Sequence, residues 1–468
     1  MAERAHIRLT ALWVAEAMAG SIVRGPSDGE FGGVSIDTRT LGPGELYVAI
    51  RGERFDGADF APVAAATGAA GVVVPRGGGR AIGGTGVVIE VDDTVKALQA
   101  LASRVRRESG TRVVAITGSA GKTTTKEVTA EFLATRYTVI RNRGNLNNHI
   151  GLPLSLIDLR QRPDIAVVEL GMSHAGEIGT LVRIAEPEVR VWTNVGEAHL
   201  GFFESLESIA DAKAEIFEGA GTSTILVANA DDDRVAARAR LFAGRVVTFG
   251  LGRPADLHAS SIVDRGVAGT SARVATSRGD FDLTTPLVGR GNLENVLAAT
   301  AVAAEFDIPL EAIAARARQL EPAAHRCQVL RLTNGVTVLD DSYNANPTAT
   351  RKALDVLAGE PTARRRVAVL GEMLELGDRS SELHAEVGRA AARARLAWLF
   401  AVGGDAAQAL ANAAVEAGMA ADTVQYFATS EDAAIAVAAA VHEGDVVLVK
   451  GSRGVRTDRV VDRLKAGR

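Results

Sequence analysis

The densest chemistry in the chain is the run Thr117-Gly118-Ser119-Ala120-Gly121-Lys122-Thr123-Thr124-Thr125, which follows an apolar run at 112–116 and leads into a helix-forming segment. Glycines at a strand-to-helix turn let backbone N–H groups approach phosphate oxygens. Lys122 brings a charge toward the terminal phosphates, and the positive end of the following helix points the same way. Thr123 is then in position to ligate Mg²⁺. The spacing is the short Gly-x-x-Gly-Lys-Thr, because Ile116 stands where the first glycine of the longer phosphate-loop pattern would be. Glu169 lies in an apolar run at 165–170, and an acid at the tip of a strand beside a phosphate loop is where Mg²⁺ is commonly held. His199 follows the apolar run 189–195; a lone histidine is more often structural, but in the company of Glu169 and the phosphate loop it reads as a ligand at the same sheet edge. Lys213, in a helical stretch at 208–217, is a surface lysine in the plain reading; buried near a metal, its charge would have to be paired or neutralised. Asn145, Asn147 and Asn148 put three amides in four positions, more than a turn requires, and read as ligand contacts. Asp340 and Asp341, directly after a strand at 336–339, serve either as turn and N-cap residues or as contacts to a nucleotide across a cleft.

The elements that must position these residues follow from periodicity. Up to about Ser109, β-rich runs at 34–36, 46–50, 71–74 and 87–91 are separated by glycine-rich turns and end in a helix at 94–107, where Val95, Leu98, Ala102 and Val105 recur at helical spacing. From 110 to 323, runs at 112–116, 165–170, 189–195 and 224–228 alternate with helices, as in a parallel sheet buried on both faces. An antiparallel meander at 257–286 and an alanine-rich helix at 292–306 follow. From 324 to 468, a hairpin around Asn334-Gly335 precedes strands at 367–370, 398–402 and 446–449 and helices at 381–394, 405–417 and 431–441. The expected fold class is α/β with three domains, 1–109, 110–323 and 324–468: a small N-terminal α/β domain, a central phosphate-loop domain with a parallel sheet, and a C-terminal Rossmann-like domain.

Composition narrows the function classes. The 468 residues are 47% hydrophobic, with no apolar run near the ~20 residues of a membrane span. With no signal-peptide pattern at the N-terminus, the expected location is the cytoplasm. The single cysteine, Cys327, excludes an internal disulfide framework and reads as a small packed side chain. A net charge of −5 and 4% aromatic residues argue against a nucleic-acid partner.

Taken in series, the segments 117–125, 144–153, 168–172, 193–199 with 209–217, and 340–347 resemble the ATP-dependent Mur ligases of peptidoglycan synthesis, relatives of the folylpolyglutamate synthetases. The stretches 340–347, 371–377 and 448–454 are most similar to the branch that adds D-alanyl-D-alanine to UDP-N-acetylmuramoyl-tripeptide. The resemblance implies that the three domains bind the UDP-sugar, ATP and the incoming dipeptide in turn. It implies phosphate and Mg²⁺ roles for Lys122 and Thr123, with Glu169 and His199 as metal ligands and Lys213 carried as a carbamate (N6-carboxylysine). It also implies adenine-side contacts at Asn292 and Asn295 and cross-domain ATP contacts at Arg326 and Asp341. The implied substrate contacts are Ser35, Asp37, Thr38 and Arg39 in the first domain, Asn145, Asn147 and Asn148 in the second, and Tyr343, Asn344, Asn346 and Ser452 in the third. Read without the resemblance, Arg39 and Arg51 are surface charges. Gly291 departs from the pattern, since relatives often carry histidine there. The implied activity is amide-bond formation through an acyl phosphate by a monomer. The alternatives are another ligase of this superfamily and, from a different class, a phosphate-loop regulatory ATPase.

Overall fold

The computed structural model describes residues 5–84 and 86–467, in which three mainly parallel α/β sheets follow one another along the chain. The first has five strands in the order Ser21–Arg24, Val87–Val91, Gly71–Pro75, Leu46–Val48, Val34–Ser35, with only the outer pair Ser21–Arg24/Val87–Val91 antiparallel. It is joined to the next sheet by the helix Thr94–Ser109. Asp93 starts this helix by accepting from Val95 N and Lys96 N, and Gly110 ends it at φ 68°. The helix lies on the helices Gly151–Ile157 and Glu177–Ala185. Its buried Arg106 donates to the carbonyls of Ala185 (2.7 Å) and Glu186 (2.8 Å) and to Glu188 (2.7 Å), satisfying carbonyls that the end of the Glu177–Ala185 helix leaves open.

At the centre of the second sheet lie Arg112–Thr117, Ile165–Glu169 and Val189–Trp192, runs of β-branched residues buried on both faces. The chain enters at Arg112–Thr117, runs out to the edge strand Val139–Arg141, returns to Ile165–Glu169, and then crosses to the other side at Val189–Trp192. Such a reversal opens a crevice at the carboxyl ends of the middle strands. The meander Leu257–Asp264, Thr270–Thr276, Gly279–Thr285 forms as the sequence predicts and extends this sheet to nine strands, because Leu257 and His258 pair in parallel with Phe249 and Gly250.

The third sheet runs Gln328–Arg331, Thr337–Asp341, Asp445–Lys450, Arg365–Gly371, Trp398–Val402, Val424–Phe427. Asp340 and Asp341 do not follow the hairpin strand: they are its last two residues, because parallel pairing with Asp445–Lys450 carries the ladder as far as Asp341 opposite Lys450. Two helices that periodicity did not single out, Pro347–Ala358 and Asp458–Ala466, complete this layer.

Candidate active site

The phosphate loop is held open by its neighbours. Gly118 (φ 151°) and Gly121 (φ 82°) have no room for a side chain, since a Cβ would overlap Thr193 Oγ1 at the first and Asn295 Oδ1 at the second. Asn194 clasps Ala120 from both sides, accepting from its N–H at 2.8 Å and donating to its carbonyl at 3.0 Å. Ser119 Oγ bonds the Gly196 carbonyl (3.1 Å) and N–H (2.9 Å). The helix Lys122–Leu133 starts at the loop, and Lys122 Nζ folds back onto the Gly118 carbonyl at 2.7 Å. The loop thus offers backbone N–H groups, a helix N-terminus and an ammonium to one point.

Opposite the loop, Glu169 ends its strand with both carboxylate oxygens engaged. Oε2 accepts from Thr123 Oγ1 (2.9 Å) and Oε1 from Asn147 Nδ2 (2.9 Å). Burial pushes the Lys122 ammonium below its usual value; Glu169 opposes the shift and Arg326 adds to it. Lys213, in the helix Leu206–Ala214, is 2% exposed, and burial followed by the charge of Lys122 drives its amine far below the ordinary lysine range. A neutral amine is the form that adds CO₂ to give a carbamate.

A cavity of about 560 Å³ separates the second sheet from the third, and Lys122, Thr123, Glu169 and His199 face Arg326, Asp341, Tyr343 and Lys450 across it. The two walls touch at named points. Arg326 Nη2 donates to Thr123 Oγ1 at 3.1 Å, and its guanidinium lies 4.0 Å from the Tyr343 ring centroid. His199 and Glu375, both left-handed non-glycine residues (φ 63° and 65°), meet with Nδ1 2.6 Å from Oε2. Their hydrogen bond holds the Glu375 carboxyl below its usual range against the opposing effect of burial. Lys352 Nζ donates to Glu294 at 2.7 Å, while Arg351 Nη2 donates to both oxygens of Glu197 (3.0 and 2.8 Å).

Comparison with known proteins identifies this arrangement. Family models described as "Mur ligase family, catalytic domain", "Mur ligase middle domain" and "Mur ligase, glutamate ligase domain" match residues 30–106, 116–303 and 325–453. A curated relative from Bacillus subtilis (strain 168), named UDP-N-acetylmuramoyl-tripeptide--D-alanyl-D-alanine ligase, is 34% identical over 92% of this chain and 93% of its own length. The chain belongs to the Mur ligase family. Its fold is similar to crystal structure I of MurF from Acinetobacter baumannii, with a TM-score of 0.88 at 30% identity, covering 98% of this chain and 99% of that one. MurF ligase from Thermotoga maritima, solved in complex with ADP, gives a TM-score of 0.81 at 29% identity over 93% and 97%.

In this Mur ligase the cavity gathers Ser119 through Thr124, Asn145, Asn147, Asn148, Glu169, His199, Asn292, Asn295, Arg326, Asp341, Tyr343, Asn344, Asn346 and Ser452. Thr117, Gly118 and Lys213 are not among its lining residues, nor are Ser35, which ends the edge strand Val34–Ser35 of the first sheet, and Asp37, Thr38 and Arg39 in the turn that follows, where Arg39 holds the Asp37 carboxyl down to about 2. Several amides and hydroxyls have structural partners. Asn148 Oδ1 accepts from Ile150 N and Gly151 N at the start of a helix, Asn346 Oδ1 accepts from Ala349 N as an N-cap, and Ser452 Oγ accepts from Leu374 N at 2.9 Å. Asn295 Nδ2 reaches Asn292 Oδ1, and its Oδ1 accepts from Thr125 Oγ1, so it braces the loop from behind. Of the paired acids, Asp340 is buried against His325 and Ser342, and only Asp341 reaches the cavity, bonded to Lys450 (2.6 Å) and Cys327 N. The Cys327 thiol is pushed up to about 12, first by burial and then by Asp341, which keeps it protonated and non-nucleophilic.

The hydroxyl of Thr123 and the carboxylate of Glu169 form an oxygen pair that suits Mg²⁺, which takes one or two protein oxygens and completes its shell with phosphate and water. Among the described residues no group of three or more His, Cys, Asp or Glu side chains is placed to hold a metal ion. Sequence reasoning assigned no role to Asn194, Glu375 or Lys450. The segments holding them stand out in the sequence, but their partners are distant along the chain and leave no mark on local spacing: Asn194 holds Ala120 within the central sheet, Lys450 pairs with Asp341 on the neighbouring strand of the third, and Glu375 meets His199 across the cavity.

Proposed function

We propose that this chain joins D-alanyl-D-alanine to UDP-N-acetylmuramoyl-tripeptide with ATP, releasing ADP and phosphate, in peptidoglycan precursor synthesis. The names of relatives aligned over nine-tenths of the chain support this reading. The observation that carries it is Thr123 Oγ1, approached by Glu169 from the central sheet and by Arg326 from the third, so that the phosphate end of the loop opens into a cavity with room for a second substrate.

A carboxylate is a poor acylating agent because oxide is a poor leaving group. The terminal carboxylate of the tripeptide attacks the γ-phosphorus; an O–P bond forms, the bond to the β-phosphate oxygen breaks, and ADP leaves. The amine of D-alanyl-D-alanine then attacks the carbonyl of the acyl phosphate, and the tetrahedral intermediate expels phosphate. Lys122 and the N-terminus of the helix Lys122–Leu133 neutralise the transferring oxygens, and Arg326 adds charge from the facing wall. Thr123, Glu169, His199 and a carbamylated Lys213 would hold Mg²⁺, which screens the phosphates and lets two anions approach. Residues 1–109 take the UDP-sugar through Ser35, Asp37, Thr38 and Arg39; 110–323 take ATP; 324–468 take the dipeptide. The enzyme acts as a cytoplasmic monomer, and no described helix is long and apolar enough to cross a membrane.

Phosphate release is measured with D-alanyl-D-alanine, single amino acids and glutamate as separate acceptors. Turnover is expected with the dipeptide alone and should fall by about 10³-fold or more in Lys122→Ala. Hydrolysis that needs no acceptor, or coupling to glutamate, overturns the reading. For the carbamate, Lys213→Ala should lose about 10²–10³-fold in turnover and recover part of it with short carboxylates; an unrescued variant with full activity removes Lys213 from catalysis.

A further inference from the structure

The wall of the cavity built from the third sheet carries a cation that none of the steps above uses. A dipeptide acceptor attacks through a neutral amine and keeps a negative carboxylate. In a cavity that also holds phosphates and a peptide acid, an unmatched carboxylate is costly, so a cation must meet it. Most lining cations are already engaged. Lys122 bonds the Gly118 carbonyl, Arg326 the Thr123 hydroxyl, Lys352 the Glu294 carboxylate, and Lys450 both Asp341 and the Asn344 carbonyl. Arg453 differs. It lines the cavity, is exposed to it, and makes no side-chain hydrogen bond or ion pair among the described residues; its guanidinium lies 5.3 Å from the centroid of Tyr343.

Position supports the same use. Arg326 and Arg453 both approach the ring of Tyr343, and Arg326 reaches the phosphate end through Thr123. An extended dipeptide spans about 7 Å. With its amine at the transferring phosphoryl, its carboxylate lies about 7 Å away, and Arg453 lines the same cavity as Arg326, both beside Tyr343. Leu374, 43% exposed and lining the same end, offers an apolar surface to a methyl side chain. Ser452, the neighbour of Arg453, has its hydroxyl bonded by Leu374 N and so fixes the loop that presents the arginine.

We propose that Arg453 binds the free carboxylate of the acceptor dipeptide and thereby selects acceptors that end in an acid. The proposal rests on the ligase reading above. A guanidinium suits the task because it forms two parallel hydrogen bonds with a carboxylate and keeps its charge at any working pH.

The test compares D-alanyl-D-alanine with its C-terminal amide as acceptors, in wild type, Arg453→Met and Arg453→Lys, with KM measured for all three substrates. Arg453→Met should raise KM for the dipeptide about thirty-fold or more, leave KM for ATP and for the UDP-tripeptide within about two-fold, and abolish the preference for acid over amide. Arg453→Lys, which keeps the charge without the fork, should retain part of that preference and guards against a folding defect in the methionine variant. A wild type that couples the dipeptide while Arg453→Met keeps the acid preference overturns the proposal and leaves the ligase reading intact, as does a shift confined to KM for ATP or the UDP-tripeptide. A wild type inert toward the dipeptide overturns both.

Discussion

The seam between the first and second sheets and the seam between the second and third are built on opposite lines. At the first, the helix Thr94–Ser109 lies flat on two helices of the central layer, and Arg106, 6% exposed, is spent on two carbonyls and Glu188; Glu188 in turn accepts from Val113 N at 2.6 Å at the start of the phosphate-loop strand. At the second, the walls stand apart around the cavity and meet through Glu197–Arg351, Glu294–Lys352, His199–Glu375, Arg326–Thr123 and the contact of Glu360 with Val267 N. Buried packing of the first kind unfolds with the domain it belongs to. Ion pairs around a cavity can open singly, and a ligase that must admit three substrates and then exclude water needs a seam that opens. The difference assigns stability to the first seam and turnover to the second.

The largest effect that would break this contrast is on stability. Arg106→Met fills the same space but leaves the Ala185 and Glu186 carbonyls and one oxygen of Glu188 without their donor, at a cost of about 2–4 kcal/mol. Scanning calorimetry should show the main transition several degrees lower, while activity per folded molecule at 25 °C stays near wild type. A melting temperature within about 1 °C of wild type would mean that the seam is not held by this arginine.

Much of the central domain is legible in the sequence because its signals are local. The phosphate loop is a contiguous pattern, Glu169 lies near the end of an apolar run, and the strands buried on both faces advertise themselves as short runs rich in Val, Ile and Ala. The wall built from the third sheet is far less legible. Asp341 stood in the sequence beside Asp340 as its twin, yet strand pairing turns one carboxylate to the cavity and the other into the core. Asn148, a ligand contact by type, and Asn346, one by resemblance, both line the cavity and also hold backbone N–H groups at a helix start, Asn346 as an N-cap, since an amide in either use is the same residue in one dimension. Glu375 meets His199 across the seam, and Arg351 reaches Glu197 across it as well as Glu386 on its own side; which partners they meet across it depends on how two separately folded sheets dock.

The finest test of the contrast is Arg351→Met. Glu197 sits at the cavity edge with its carboxylate held by Arg351 and the Thr348 hydroxyl; burial raises its pKa, but these contacts outweigh burial and leave it below the ordinary 4.5. The pair is partly screened, with side-chain exposures of 31% and 16%, so its loss should weaken docking by about 1–2 kcal/mol, or about five- to thirty-fold in the docking equilibrium. Because only the docked form brings Arg326 to Thr123, the loss should appear as a raised KM for ATP, with the main calorimetric transition unmoved. The sign of the pH dependence follows from the depressed pKa. The contribution of Glu197 is complete above its unfolded value of 4.5 and fades as pH falls through the lower docked value, so the ratio of mutant to wild-type KM should be flat from pH 6 to 8. Were Arg351→Met instead to lower the main transition as Arg106→Met does, the second seam would be as much a part of the folded core as the first, and opening it during turnover would require partial unfolding.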